Sequence, residues 1–454
     1  MTHIWIKNPL SILSPEGVEA GGGLVVQGAQ ILEMVPGGRK PSIHCDRIFD
    51  AGEHVVLPGL INVHHHFYQT LTRALPAALD KELFPWLETL YPVWAGLTPE
   101  HIAVSTRLAL AELLLSGCTT ASDHHYVFPR GLEQAIDIQI AEARKLGIRL
   151  APTRGSMSLS REDGGLPPKN VVQDADTILA DSERLIRRYH VNDPGAMVQI
   201  TLAPCSPFSV TRELMIETAR LARRHGVRLH THLAETQDET RYCRDLFGVR
   251  PVDYLEQVEW MADDVWLAHG IHFDAQEIRR LGTAGVGVCH CPSSNMVLAS
   301  GICPTLELKS AGSPVGLGVD GSASNDGSNL MQEVRQALLL QRLKYGSSKV
   351  SHRDVLGWAT KGSARCLGRG DLGELSVGKQ ADLAMFKVDE LRFSGAGDPL
   401  AALVLCGAHR ADQVMVAGKW VVESGEIPGL DLPGLMAAHR RSAGDLLKLG
   451  LDSI

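Results

Sequence analysis

Between Pro58 and about Gly370, short apolar runs alternate with stretches of helical periodicity, and this alternation constrains the fold more than any other feature. The runs, in order, are LPGLINVHHH, TTASDHH, IRLAPTRG, MVQITLAPCSP, RLHTHLAE, VWLAHG, GVGVCHCP and PVGLGVDG. Intervening segments such as PEHIAVSTRLALAELLLSG, GLEQAIDIQIAEARKLG and TRELMIETARLARRHG carry apolar residues near i, i+3 and i+4 and stop at Gly. Strand-then-helix alternation of this kind predicts βα units around a parallel sheet. Eight such units close naturally into a (β/α)8 TIM-like barrel. A doubly wound sheet is the structural alternative, but histidines at the ends of the runs favour the barrel.

The two ends of the chain have a different texture. THIWIKNP, GGLVVQGAQILEMVP and HCDRIFDAGEHVVLPG read as short strands broken by Gly and Pro, with Leu24, Val26 and Ile31 alternating as antiparallel strands do. After Leu372, GDLGELSVGKQADLAMFKV and ADQVMVAGKWVVESGEIPG return to strands. The expected organisation is an α/β protein with a barrel over 58–371, a small β-sandwich domain built from 1–57 and 372–430, and a helical segment over 431–454. A chain of 454 residues suits a barrel of about 250 residues or more with one appended domain.

A formal charge of −8 gives no electrostatic footprint for nucleic acid or an anionic membrane. No apolar run approaches the roughly 18 residues of a membrane span, and MTHIWIKNPL lacks the pattern of a signal peptide. The nine cysteines are scattered without a CxxC pair, as expected of reduced thiols in a cytoplasmic protein. Cys289 and Cys291, which flank His290, read as core thiols rather than metal ligands.

Chemistry concentrates at the strand ends. His64 and His66 close the first run, and a spacing of two puts both imidazoles on one face of a strand. His232 closes the fifth run, His269 the sixth and Asp320 the eighth, all at the C-terminal face where barrel chemistry sits. Neutral imidazoles and carboxylates converging from different strands are what a hydrolytic metal site needs. Glu235, three residues past His232, is placed to carry a proton from water to a leaving nitrogen. Asp320 can both bind a metal and accept a proton from the attacking water.

PGLINVHHH, THLAET, LAHGIHFD, HCPSSNMVLASG and GLGVDGSASND together resemble the amidohydrolase superfamily, in its cytosine deaminase and chlorohydrolase-like branch. GELSVGKQADLAMFK is similar to the C-terminal strand segment of the same family, so the resemblance spans about residues 20 to 425. It implies that His64, His66, His232 and Asp320 are metal ligands in a five-coordinate site. It implies that Glu235 is the proton shuttle and that His269 holds the attacking water or the developing oxyanion. The second strand offers no Lys for carbamylation and the fourth no His ligand, which favours one metal over two. The reaction needs no redox chemistry, so zinc is the expected ion, and iron(II) fits the same donors. The finer resemblance, carried by HHHFYQTLTRALP, TTASDHHYVFP and APTRGSMSLS, is to members that deaminate 8-oxoguanine and isocytosine. The first of these segments is shared with hydroxyatrazine-type ethylaminohydrolases. Pro204-Cys205-Ser206-Pro207 stands where much of the branch has a PH-A-P motif, which argues against nucleoside or S-adenosylhomocysteine deamination. Glu235 argues against dehalogenation, because chloride leaves without a proton. A scaffold that had lost catalysis would have lost ligands, and this chain keeps them.

The expected partner is a small heterocyclic base, and the expected assembly a symmetric homo-oligomer. A planar ring needs amide-like or cationic donors and an aromatic wall. Gln69, Trp94, His125 and Arg154 are the candidate contacts, with a buried structural ion pair as the competing role for Arg154. Trp86 and Tyr91 read as core packing. His65 points away from the metal by strand alternation, and Ser293 and Asn295 read as caps of the loop after the seventh strand.

Overall fold

In the computed structural model, which describes residues 2–451, eight parallel strands follow one another in chain order around a barrel. They are Leu60–Asn62, Cys118–His125, Arg149–Ser156, Thr201–Pro204, Arg228–Leu233, Val265–His269, Gly287–His290 and Val315–Leu317. Each overlaps one of the eight apolar runs. The first and last are joined by a Val63 N–H bond to the Leu317 carbonyl (3.1 Å) and by parallel pairing of His65–His66 with Asp320–Gly321. The alternative of an open doubly wound sheet is therefore excluded.

The helices between strands form where apolar periodicity meets a cap. Thr98 caps helix Pro99–Leu115 with its side chain, and Thr211 does the same for Arg212–His225. Gly147 and Gly226 end their helices in the left-handed conformation (φ +71° and +64°), which a Cβ would disfavour.

The chain ends build two further sheets, one of four strands from the N-terminal segment and one of five that mixes both ends. In the latter, strand Leu383–Lys387 pairs antiparallel with His54–Pro58, and Ser11–Ile12 lies along the far side of His54–Pro58. Ile6, Leu24, Val26 and Ile31 of the first sheet share one apolar core with Val56, Leu383, Met385 and Met415 of the second. Helix Leu432–Leu451 follows and packs on helix Pro99–Leu115. The last three positions of the expected helical segment, 452–454, lie outside the described residues.

A buried ion pair joins the barrel floor to the second sheet. Arg149, at the start of the third barrel strand, bonds both carboxylate oxygens of Asp382 (2.8 and 3.2 Å) and donates to the Gln380 side chain and the Ala196 carbonyl. Asp382 also accepts the Ala417 N–H (2.7 Å). Asp382→Ala leaves a buried guanidinium unpaired and is expected to cost about 3–5 kcal/mol. Denaturant titration will show this as a lowered midpoint, with turnover per folded molecule unchanged.

Candidate active site

The C-terminal ends of the first, fifth, sixth and eighth strands converge on one cleft. His66, His232, Glu235, His269 and Asp320 all line it, and His64 lies directly beneath. Backbone strain is present here. Ala234, His269 and Asp320 all hold positive φ (+53°, +70° and +61°), a conformation that non-glycine residues keep only where surrounding structure enforces it. Two glycines of GLGVDG allow the close approach. A Cβ on Gly318 would lie 2.8 Å from the His64 Cβ, and one on Gly321 would overlap the Gln69 amide.

Donor spacing can be tested against a metal ion. His64 Nε2 and His66 Nε2 each lie 3.3 Å from Asp320 Oδ1, and His66 Nε2 lies 3.3 Å from His232 Nε2. Bonds of about 2.0–2.1 Å at the roughly 90–120° angles of a five-coordinate ion would space adjacent ligands about 2.9–3.6 Å apart, which includes these distances. His64 Nε2 is buried with no hydrogen-bond partner, an orphaned lone pair aimed at the same point. The residues therefore fit a divalent cation.

The hydrogen-bond network assigns the tautomers that such an ion needs. His66 Nδ1 bonds the His124 carbonyl (2.7 Å) and His232 Nδ1 bonds the Cys205 carbonyl (2.6 Å), so each carries its proton on Nδ1 and leaves Nε2 free. His64 is held through a second ring. His230 Nδ1 donates to the Trp266 carbonyl (2.9 Å), so its Nε2 accepts from His64 Nδ1 at 2.8 Å. His64, His124 and His230 also form a deeper three-histidine cluster. The 2.8 Å contact between His64 and His230 is that of a shared proton rather than of two ligands on one ion.

Electrostatics support this assignment. Burial depresses His64 to about 4 and holds His232 well below its ordinary value, leaving both neutral near pH 7. Burial also pushes Asp320 upward, but the hydrogen bonds and charges of His64, His66 and His269 outweigh it and keep the carboxylate ionised. Glu235 goes the other way. Burial, reinforced by the Asp320 charge, raises it to about 8. Its Oε2 lies 3.4 Å from His269 Nε2, and His269 Nδ1 is 3.0 Å from Asn295 Oδ1. The expected shuttle can thus carry a proton near neutral pH.

A model of the amidohydrolase family matches residues 55–421. The chain belongs to the amidohydrolase family. It is 63% identical over 447 residues to the 8-oxoguanine deaminase of Pseudomonas aeruginosa, covering 98% of this chain and 100% of that one. It is 42% identical over 385 residues to the hydroxydechloroatrazine ethylaminohydrolase of Pseudomonas sp. strain ADP, covering 82% of this chain and 79% of that one. The crystal structure of an atrazine chlorohydrolase from Arthrobacter aurescens TC1 complexed with zinc superposes with a TM-score of 0.91 at 33% identity, covering 98% of this chain and 100% of that one. With this family membership, the converging donors constitute a site for a divalent metal.

Of the substrate-contact candidates, only Gln69 lies in the wall of this amidohydrolase cleft, and its buried Oε1 has no partner. Trp94 lies outside it, fully buried between Tyr68, Trp86 and Tyr91, with its indole N–H on Thr72 (3.2 Å). His125 is turned away from the barrel interior by strand alternation and packs edge-on against Tyr68 and Phe128. Arg154, its neighbour in register, is the buried ion pair of the competing expectation. It bonds Asp181 (2.6 Å) and lies over the Phe128 ring. Trp86 and Tyr91, expected in the core, line the cleft, as do Leu83, Leu87, Tyr126, Cys205, Phe208, Leu298 and Ser324. His65 bonds Ser328 (2.9 Å), and Cys289 and Cys291 are buried, with their sulfurs 3.7 Å apart.

His230 was missed, although RLHTHLAE repeats on the fifth strand the spacing of two that paired His64 with His66. Asn295 does more than cap its loop, because it orients His269.

Proposed function

We propose that this protein is a metal-dependent aminohydrolase that converts 8-oxoguanine and water to urate and ammonia. The observation that carries the deaminase chemistry is Glu235, a buried acid raised to about 8 at the rim of the metal donors. The near full-length identity to a curated 8-oxoguanine deaminase supports the substrate. His64, His66, His232 and Asp320 hold the ion and His269 faces the reacting atoms. A divalent cation supplies Lewis acidity that lowers the pKa of water toward about 7. Asp320 accepts a proton from the attacking water, and that same proton passes by way of Glu235 to the exocyclic nitrogen, which leaves as ammonia and returns both carboxyls to their starting state. His269 Nε2 steadies oxygen at the attacked carbon. Gln69 reads a polar edge of the ring, and Trp86, Leu83, Leu87 and Phe208 exclude water around it. Zinc is the proposed ion, supported by the zinc-bound structural relative, and elemental analysis of purified protein distinguishes it from iron.

Residues 58–371 are the proposed catalytic barrel, with 1–57 and 372–430 as the sandwich domain beside it and 431–454 as the C-terminal helical segment. Among the described residues no helix is long and apolar enough to cross a membrane. A cytoplasmic homo-oligomer is the proposed state.

Ammonia release with 8-oxoguanine, run beside guanine, isocytosine, cytosine and an aminated s-triazine, tests the reading. Fast, selective release from 8-oxoguanine is expected. Turnover of another ring alone would move the pocket to that substrate, and the 42% identical ethylaminohydrolase makes the triazine the second reading.

His230→Phe removes the acceptor that fixes the His64 tautomer. Metal affinity is expected to fall about 10- to 100-fold in a chelator competition.

A further inference from the structure

We propose that Glu239 is a positioning residue that holds Glu235 in its proton-transfer geometry through the backbone. The proposal rests on the reading of Glu235 as the proton carrier. Glu239 lies on helix Gln237–Phe247, fully buried and outside the cleft lining. Its Oε1 accepts the Ala234 N–H and its Oε2 accepts the Glu235 N–H, both at 2.9 Å.

Ordinary helix capping does not account for this arrangement. A third-position Glu normally reaches back to the backbone N–H of the cap residue, here Thr236. Glu239 instead reaches past Thr236 to the two residues before it. Those residues form the strained turn. Ala234 is left-handed at φ +53°, a conformation that the Cβ of an L-residue disfavours. The turn is held from the other side as well, because the Ala234 carbonyl accepts the N–H groups of Ile271 and His272 (2.9 Å each) and Leu233 accepts that of Gly270. The carboxylate and the loop after His269 therefore clamp one peptide turn between them. That turn sets where the Glu235 side chain meets His269 Nε2 (3.4 Å) and Ser300 Oγ (3.5 Å). Without the clamp the turn can relax to ordinary backbone, and an error of about 1 Å in an acid's position can cost about a hundredfold in rate.

The test is Glu239→Gln in the metal-loaded enzyme, read as kcat, KM and bound metal together. The amide keeps the size but presents N–H groups where a backbone N–H needs an acceptor. The expected result is a kcat lower by about 10- to 100-fold, with KM and metal content near wild type. Adding Ala234→Gly, which removes the steric cost of the left-handed turn, is expected to restore part of that kcat. A lowered melting temperature with kcat per bound metal within about twofold of wild type would overturn the proposal, since it is what a purely structural role predicts. If Glu239→Gln does not fold, Glu239→Asp, one methylene too short to span both N–H groups, is read on the same quantities with the same overturning result. Glu235→Gln run in parallel separates the two ideas. If that variant turns over normally, the proton-carrier reading fails. If it is inactive while Glu239→Gln is normal, the positioning role alone fails.

Discussion

Glu235→Gln is expected to retain its metal and lose turnover by about 10²- to 10⁴-fold, the range that general acid–base groups supply. Gln has the shape of Glu but cannot release a proton at any working pH. The wild-type carboxyl is raised to about 8 by burial first and by the Asp320 charge second, so it holds and gives up a proton across the neutral range. Amide-like nitrogen leaves poorly until protonated, so the loss should fall on kcat. Glu235 is outside the four-donor set, with His269 Nε2 3.4 Å from its carboxyl, and bound metal should be unchanged. The fold should not suffer, because replacing a buried acid beside the like-charged Asp320 tends to stabilise at the expense of function. Elemental analysis, a melting curve and steady-state ammonia release on one preparation decide the matter. Near-normal turnover would remove Glu235 from the mechanism.

His64→Ala and His66→Ala are each expected to strip the metal and, with it, detectable turnover. His66 Nε2 sits 3.3 Å from both His232 Nε2 and Asp320 Oδ1, so its loss removes one of the four converging donors. His64 brings an otherwise orphaned lone pair and a hydrogen-bond chain through His230 to the Trp266 carbonyl. Losing a hydrogen-bond partner behind a ligand typically costs about 10- to 100-fold in affinity, so losing the ligand itself should cost more. Because neutral imidazoles bind the ion, affinity in the wild type should also fall as pH drops and protons compete. A full metal complement in both alanine variants would sink the ligand assignment.

The resulting site was legible where short-range rules applied. His64 and His66 share a strand face because the side-chain period of a strand is two, and the chain alone displays that period. Glu235, His269 and Asp320 stand at the ends of apolar runs, at the end of a barrel where loops gather. The same period of two, applied to His230 and His232, would have exposed the hydrogen-bond chain behind His64. The substrate walls were less legible because they depend on which strand face turns inward and on how one long loop folds back. His124 and His125 are adjacent, yet one stacks on His232 while the other meets Tyr68 and Phe128. Trp86, Tyr91 and Trp94 lie on one helix, Leu83–Trp94, and only its orientation over the barrel mouth puts the first two in the cleft and the third in the core.

By itself, then, the sequence determined the eight-unit barrel and the strands at the two chain ends, and it singled out the proposed metal donors and proton carrier, because each follows from periodicity or from position relative to a strand end. Tertiary structure alone decided that Arg154 is an ion pair, that Cys205 and Tyr126 line the cleft, and that Glu239 and His230 bond the backbone of Glu235 and the ring of His64 from behind. Those roles depend on contacts between segments that only barrel closure brings together, and no local pattern encodes the distance across a closed barrel.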